Sequence, residues 1–176
     1  MTSLGDTPPP AAPFPAGNDL GLVDALAQLS FLLHDALAEI AGQLDLSIIG
    51  IRLLGILRDR RPAIKELATF LQLDKSSVTG LVDRAQERGL VTRDASPVDR
   101  RSVRVTITAA GRELVDRAQA DVEAEIAVLV ADLNPAQRTR LSATASLIVA
   151  ADARRRGFDI FNVKPDDHPF SGARRS

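Results

Sequence analysis

Leu73–Val91 reads LDKSSVTGLVDRAQERGLV. Val78, Leu81, Val82 and Ala85 stand at i, i+3, i+4 and i+7, one face of a helix. Asp74 is a favoured N-cap in front of that helix, and Gly89 is a natural stop behind it. Once this apolar stripe is subtracted, Lys75, Ser76, Ser77, Thr79, Gly80, Asp83, Arg84 and Glu87 remain outside. The first turns are therefore small, hydroxylated and basic. Gly80 within a helix costs about 1 kcal/mol relative to Ala. Close approach of another backbone would justify it; sequence drift is the plainer account.

Downstream the hydrophobic period changes from 3.6 to 2. Leu90, Val91 and Thr92 begin a strand, ASPVD supplies turn chemistry, and Val103, Val105 and Ile107 alternate with Arg104 and Thr106. Upstream, Pro62 ends one helix and suits the first position of the next. That short helix, 62–71, places Ile64, Leu67, Ala68 and Leu71 inside. A helix from about Ser47 buries Ile48, Ile51, Leu54 and Leu57. Two short helices, a tight turn and a hairpin make a winged helix-turn-helix over about 47–108. In such a unit the second helix enters the major groove, N-terminal residues foremost. Small Ser and Thr side chains permit that approach, and the helix N-terminus offers N–H groups to a phosphate. Lys75 and Arg84 would reach phosphates or guanine edges. At the hairpin tip Arg100 and Arg101 suit a narrow minor groove, with Asp99 holding an arginine in place.

Long amphipathic helices flank this unit. Leu22, Leu26, Leu29, Leu33, Leu37, Ile40 and Leu44 recur at steps of three and four, before a break at Gly42 and Asp45. Thr108 caps a helix bearing Leu114, Ala118, Val122, Ile126, Leu129 and Leu133. Asn134-Pro135 opens a last one with Leu141, Ala145, Ile148 and Ala151. The fold class is mainly α with a small β wing. Residues 1–18 read as a disordered N-terminal tail and 157–176 as a loose C-terminal one, both rich in Gly, Pro or charge.

Composition narrows the function. The 176 residues carry a net charge of −1, but residues 58–112 hold twelve Lys/Arg against seven Asp/Glu. A basic middle between acidic flanks is a local footprint for a polyanion. The chain has no cysteine, so thiol redox switching and thiolate metal sites are excluded. Only His34 and His168 are present, which argues against a multi-histidine metal site and against histidine-based triads. No phosphate-cradling glycine loop appears, so no enzyme and no cofactor is expected. Aromatics are 3%, all Phe, too few for the stacking platforms of single-strand binders. The first Lys or Arg is Arg52, so a secretory n-region is lacking, and no uninterrupted apolar run approaches a membrane span. A cytoplasmic protein without a membrane partner is expected.

LQLDKSSVTGLVDRAQERGLV followed by DRRSVRVTITAAGRELV resembles the MarR (multiple-antibiotic-resistance regulator) family of winged-helix transcription factors. The motif pair is a recognition helix ending in RGLV, then a D-x-R wing leading into I/L-T-x-x-G. The match is dense through 64–115, and the helix order fits from about 20 to 153. The resemblance implies a MarR-like domain over 19–156, with helices at about 19–44 and 109–155 interlocking into a homodimer. It implies residues 75–84 in the major groove, Arg101 in the minor groove and Asp99 as its support. It also implies a repressor of genes with pseudo-palindromic operators, released by a small aromatic or phenolic anion. His34 and Arg52 lie on helices that usually flank the effector cleft. The competing expectation is a winged-helix module that binds protein rather than specific DNA. Such a module would not need the Lys75, Arg84 and Arg101 cluster.

Overall fold

The computed structural model describes residues 19–95 and 103–157. Their order is α1 (Gly21–Gln43), α2 (Ile48–Asp59), α3 (Ile64–Leu71), α4 (Lys75–Glu87), β1 (Val91–Ala95), β2 (Val103–Ile107), α5 (Ala109–Leu129) and α6 (Pro135–Arg155). Capping chemistry sets most of these boundaries. Ser47, Asp74, Thr108 and Asn134 each accept a hydrogen bond from a backbone N–H in the first turn of the helix that follows. Past α4, Gly89 adopts φ +69°. Its N–H donates to the Gln86 carbonyl at 2.8 Å and the Leu90 N–H to the Ala85 carbonyl at 2.9 Å, a Schellman closure.

Contacts divide the chain after Asp35. Of the first unit, the described residues comprise the N-terminal part of α1, where Leu22, Val23 and Phe31 are exposed. By length and composition alone α1 is apolar enough to cross a membrane. A search for an uninterrupted apolar run misses this, because Asp24, His34, Asp35 and Glu39 punctuate the helix.

From Ala36 onward the core centres on the winged unit. Leu53, Leu54 and Leu57 of α2, Leu67 of α3, Val78 and Val82 of α4, Val91 of β1 and Val105 of β2 are almost wholly buried. Burial of each contributes about 1.5–3 kcal/mol. Leu53 belongs to this core, although the expected stripe of α2 omitted it; Ile48 and Ile51 are only half-buried. A second cluster joins Ile40 and Leu44 to Ala118 of α5. β1 and β2 pair antiparallel, Val91 opposite Ile107 and Ala95 opposite Val103. Gly111 is where α5 meets the hairpin. A Cβ there would lie 2.1 Å from the Leu90 carbonyl oxygen and 2.9 Å from Ile107 Cγ1, so the I-T-x-x-G spacing has a steric origin.

One expectation is corrected. Pro62 is not the first residue of α3; Ala63 is the N-cap. The Pro62 carbonyl instead accepts the Val105 N–H at 3.0 Å, and Ala63 bridges Arg104. The chain before α3 thus adds a third, one-bridge edge to the hairpin.

Candidate nucleic-acid interface

The turn between α3 and α4 is tight because Gln72 takes the left-handed conformation, φ 59°. Asp74 then starts α4. One carboxylate oxygen accepts the Ser77 N–H at 2.9 Å, the other accepts the Ser77 hydroxyl at 2.6 Å, and the Ser76 hydroxyl also donates to Asp74. These bonds, chiefly from the two serine hydroxyls, hold the Asp74 carboxyl well below the usual carboxylate range. The first turn therefore carries its own anion. Of the N–H groups at the helix start that were expected to offer themselves to a phosphate, that of Ser77 is already taken by Asp74.

Val78, Leu81 and Val82 face the core, and Ala85 is half-buried. Lys75, Ser76, Ser77 and Arg84 are exposed, while Thr79, Gly80 and Asp83 are half-buried. The Thr79 hydroxyl donates to the Lys75 carbonyl at 2.8 Å, which leaves its lone pairs to accept. Ser76, Ser77, Gly80 and Arg84 line a shallow depression of about 460 Å³ with Ile49, Leu73 and Leu81. A Cβ on Gly80 would meet only Arg84 Nη1, at an ordinary 3.6 Å. Packing within this chain does not require the glycine.

The basic middle divides into engaged and free cations. Arg93 of β1 pairs with Asp83 at 2.6 Å and donates to Gln86 Oε1 at 2.9 Å and the Thr79 carbonyl at 3.4 Å. It thereby fastens the wing's first strand to α4. Arg88 donates to the carbonyls of Leu44 and Asp45. Arg104 donates to the Arg61 carbonyl and Arg112 to the Arg58 carbonyl. Among the described residues, Lys75 and Arg84 of α4 make no side-chain hydrogen bond or ion pair. Sequence reasoning missed Arg88 and Arg93, since an arginine's partner 14 or 43 residues away leaves no local pattern. Asp99, Arg100 and Arg101 lie outside the described residues.

A second concavity of about 530 Å³ lies within the unit from Ala36 onward, walled by α2, α5 and α6. Ile56, Val115, Val122 and Val149 make it apolar, and Arg52, Arg58 and Arg60 bring positive charge to it. Arg52 Nη2 donates to the Phe70 carbonyl at 3.0 Å, and the Arg60 guanidinium stands 5.3 Å from the Phe70 ring centroid. Asp152, on the same wall, is held below its ordinary pKa first by a hydrogen bond from Arg156. Of the two expected effector residues, Arg52 lines this cavity; His34 is exposed and belongs to the first unit. Arg58 and Arg60 from the end of α2, Phe70 from α3 and Gln119 from α5 converge there with no linear signature.

The MarR family model matches residues 51–103, from α2 to the start of β2. A crystal structure of a MarR-family transcriptional regulator from Rhodococcus sp. RHA1 superposes with a TM-score of 0.62 at 25% identity, over 70% of this chain and 89% of that one. This chain belongs to the MarR family. A second relative of the MarR-family chain is CouR from Rhodococcus jostii RHA1, solved bound to p-coumaroyl-CoA. Its TM-score is 0.61 at 26% identity, covering 70% of this chain and 88% of that one. In sequence, a putative transcriptional regulatory protein for the hcr operon of Thauera aromatica is 33% identical over 75 residues, 43% of this chain. The chain spans 45% of the length of that curated relative.

Proposed function

We propose that this MarR-family chain is a sequence-specific double-stranded DNA-binding transcriptional regulator, a homodimer that represses by occupying a pseudo-palindromic operator. The observation that carries the reading is the exposed face of α4. Lys75 and Arg84 are unpaired there beside Ser76, Ser77, Thr79 and Gly80, while Arg88, Arg93, Arg104 and Arg112 are engaged elsewhere in the chain. Free cations contact phosphate or guanine, and the hydroxyls contact base edges. Arg100 and Arg101 complete the surface at the wing, Arg101 in the minor groove, with Asp99 as its support. The homodimer is supported by apolar side chains that α5 and α6 leave exposed, among them Val128, Leu147 and Ile148. The effector is a small aromatic or phenolic anion held in the 530 Å³ cavity, its carboxylate or phenolate facing Arg52. The chain performs no catalysis and needs no cofactor, and it acts in the cytoplasm.

The test is a gel shift on DNA flanking the chain's own gene, in excess competitor and across a salt series. A discrete shift whose log affinity falls with log salt by about 0.9 per phosphate contact supports the reading. No specific, salt-steep complex, there or with sites from an in vitro selection, overturns it in favour of a protein-binding module.

A further inference from the structure

α1 has no basic residue in its last turn. The chain then turns sharply. Asp45 has φ 51°, and the Leu46 N–H folds back to the Ala41 carbonyl at 2.8 Å. The Leu44 and Asp45 carbonyls are left facing α4. The cation that meets them is Arg88, the C-cap of α4, more than forty residues away. Its guanidinium donates to both carbonyls, to Leu44 at 3.2 Å, and lies 3.8 Å from the Asp45 carboxylate. A fork of N–H groups on carbonyls just past the negative end of a helix is a directional link, unlike a point charge. With its donors so used, Arg88 is not one of the free cations of the exposed face.

We infer that Arg88 is a positioning residue that sets half-site spacing, by locking the far end of the DNA-reading helix to the carbonyls of the turn that follows α1. The inference rests on the proposed dimeric operator binding. In a dimer whose arms include α1, the pitch of α4 against the α1 end fixes where each reading helix meets its groove. Half-sites lie about 10–10.5 bp apart centre to centre, and each added base pair turns the second site by about 34°. A rigid link therefore rejects altered spacings, and a loosened one accepts them.

The experiment first selects an operator for the wild-type protein from random DNA. It then measures affinity for that operator and for versions with one or two base pairs inserted or removed at its centre. Wild type should discriminate by about tenfold or more per base pair, and Arg88→Ala by about threefold or less, with an unchanged salt slope. Arg88→Lys, which keeps the charge without the fork, should fall between them and covers the case in which the alanine variant fails to fold. Unchanged spacing discrimination in folded Arg88→Ala, or in Arg88→Lys if only that variant folds, overturns the inference. A reduced salt slope with discrimination intact also overturns it and makes Arg88 a phosphate contact. Failure of the wild type to select any paired half-sites would instead refute the functional reading beneath it.

Discussion

α4 and α6 start alike and end up differently. Each has a side-chain cap on its first turn, Asp74 or Asn134. α4 buries Val78, Leu81 and Val82 within its own chain and turns a polar face outward. α6, with 21 residues, buries Ala153 alone and leaves Leu141, Leu147, Ile148 and Val149 exposed. Capping starts a helix, but burial of an apolar face keeps it. An outward polar face is ready for a polar ligand in water. An outward apolar face has not yet met what covers it. On the proposed function, the two helices mark two kinds of surface, one for nucleic acid and one for a second copy.

The largest expected effect tests the α6 side. Leu147 is 69% exposed, so Leu147→Glu should leave the helix content of the chain unchanged. Sedimentation should show a monomer, and operator affinity should fall by about 100-fold or more as two-site engagement is lost. An intact dimer would break the contrast between the helices. Next, Arg84→Ala should reduce affinity by about tenfold and the salt slope by about 0.9, with stability within about 0.5 kcal/mol. The engaged Arg93 should behave oppositely: Arg93→Ala loosens β1 from α4 and costs about 1 kcal/mol in urea melts after allowance for solvent screening. Equal stability losses would show that free and engaged cations do not differ. Gly80→Ala should raise stability by about 1 kcal/mol, since nothing in the chain crowds that Cβ. Lost operator affinity in the same variant would locate the closest approach of DNA; unaltered affinity would leave Gly80 to drift.

The smallest effect separates the two caps. The folded-state pKa of Asp74 lies below its unfolded value near 4, because the Ser76 and Ser77 hydroxyls favour the carboxylate. Its contribution to stability is complete above that unfolded value and is lost as pH falls toward the folded one. Asn134 does not titrate. The stability margin of wild type over Asp74→Asn should therefore shrink between pH 5 and about 2.5, while that over Asn134→Ala stays level. A constant Asp74 margin across that range would contradict the bond pattern.

Much of this architecture was legible because its causes are local. The Asp74, Thr108 and Asn134-Pro135 caps, the Gly89 stop and the switch of period after Leu90 all act within a few residues. What escaped has distant causes. The Pro62 carbonyl is claimed by Val105 of β2, so a proline suited to opening a helix became a sheet edge. A single bridge at Ala63 has no periodicity to detect. For the site, the residue types on α4 could be read directly, because a helix displays whatever its stripe does not bury. Which arginines remain free could not, since the fates of Arg88 and Arg93 depend on carbonyls and carboxylates that only the fold brings near. The apolar cavity is the extreme case, built from side chains of several helices with no shared spacing.

The buried stripe of α4 also bears on how such a protein changes over generations. Val78, Leu81, Val82 and the Asp74 cap carry the folding of the helix. Substitutions at exposed positions usually change stability by less than about 0.5 kcal/mol. Lineages can therefore exchange Lys75, Ser76 or Arg84 one at a time without passing through an unfolded ancestor. A chain organised in this way can acquire new regulatory targets while its scaffold stays unchanged.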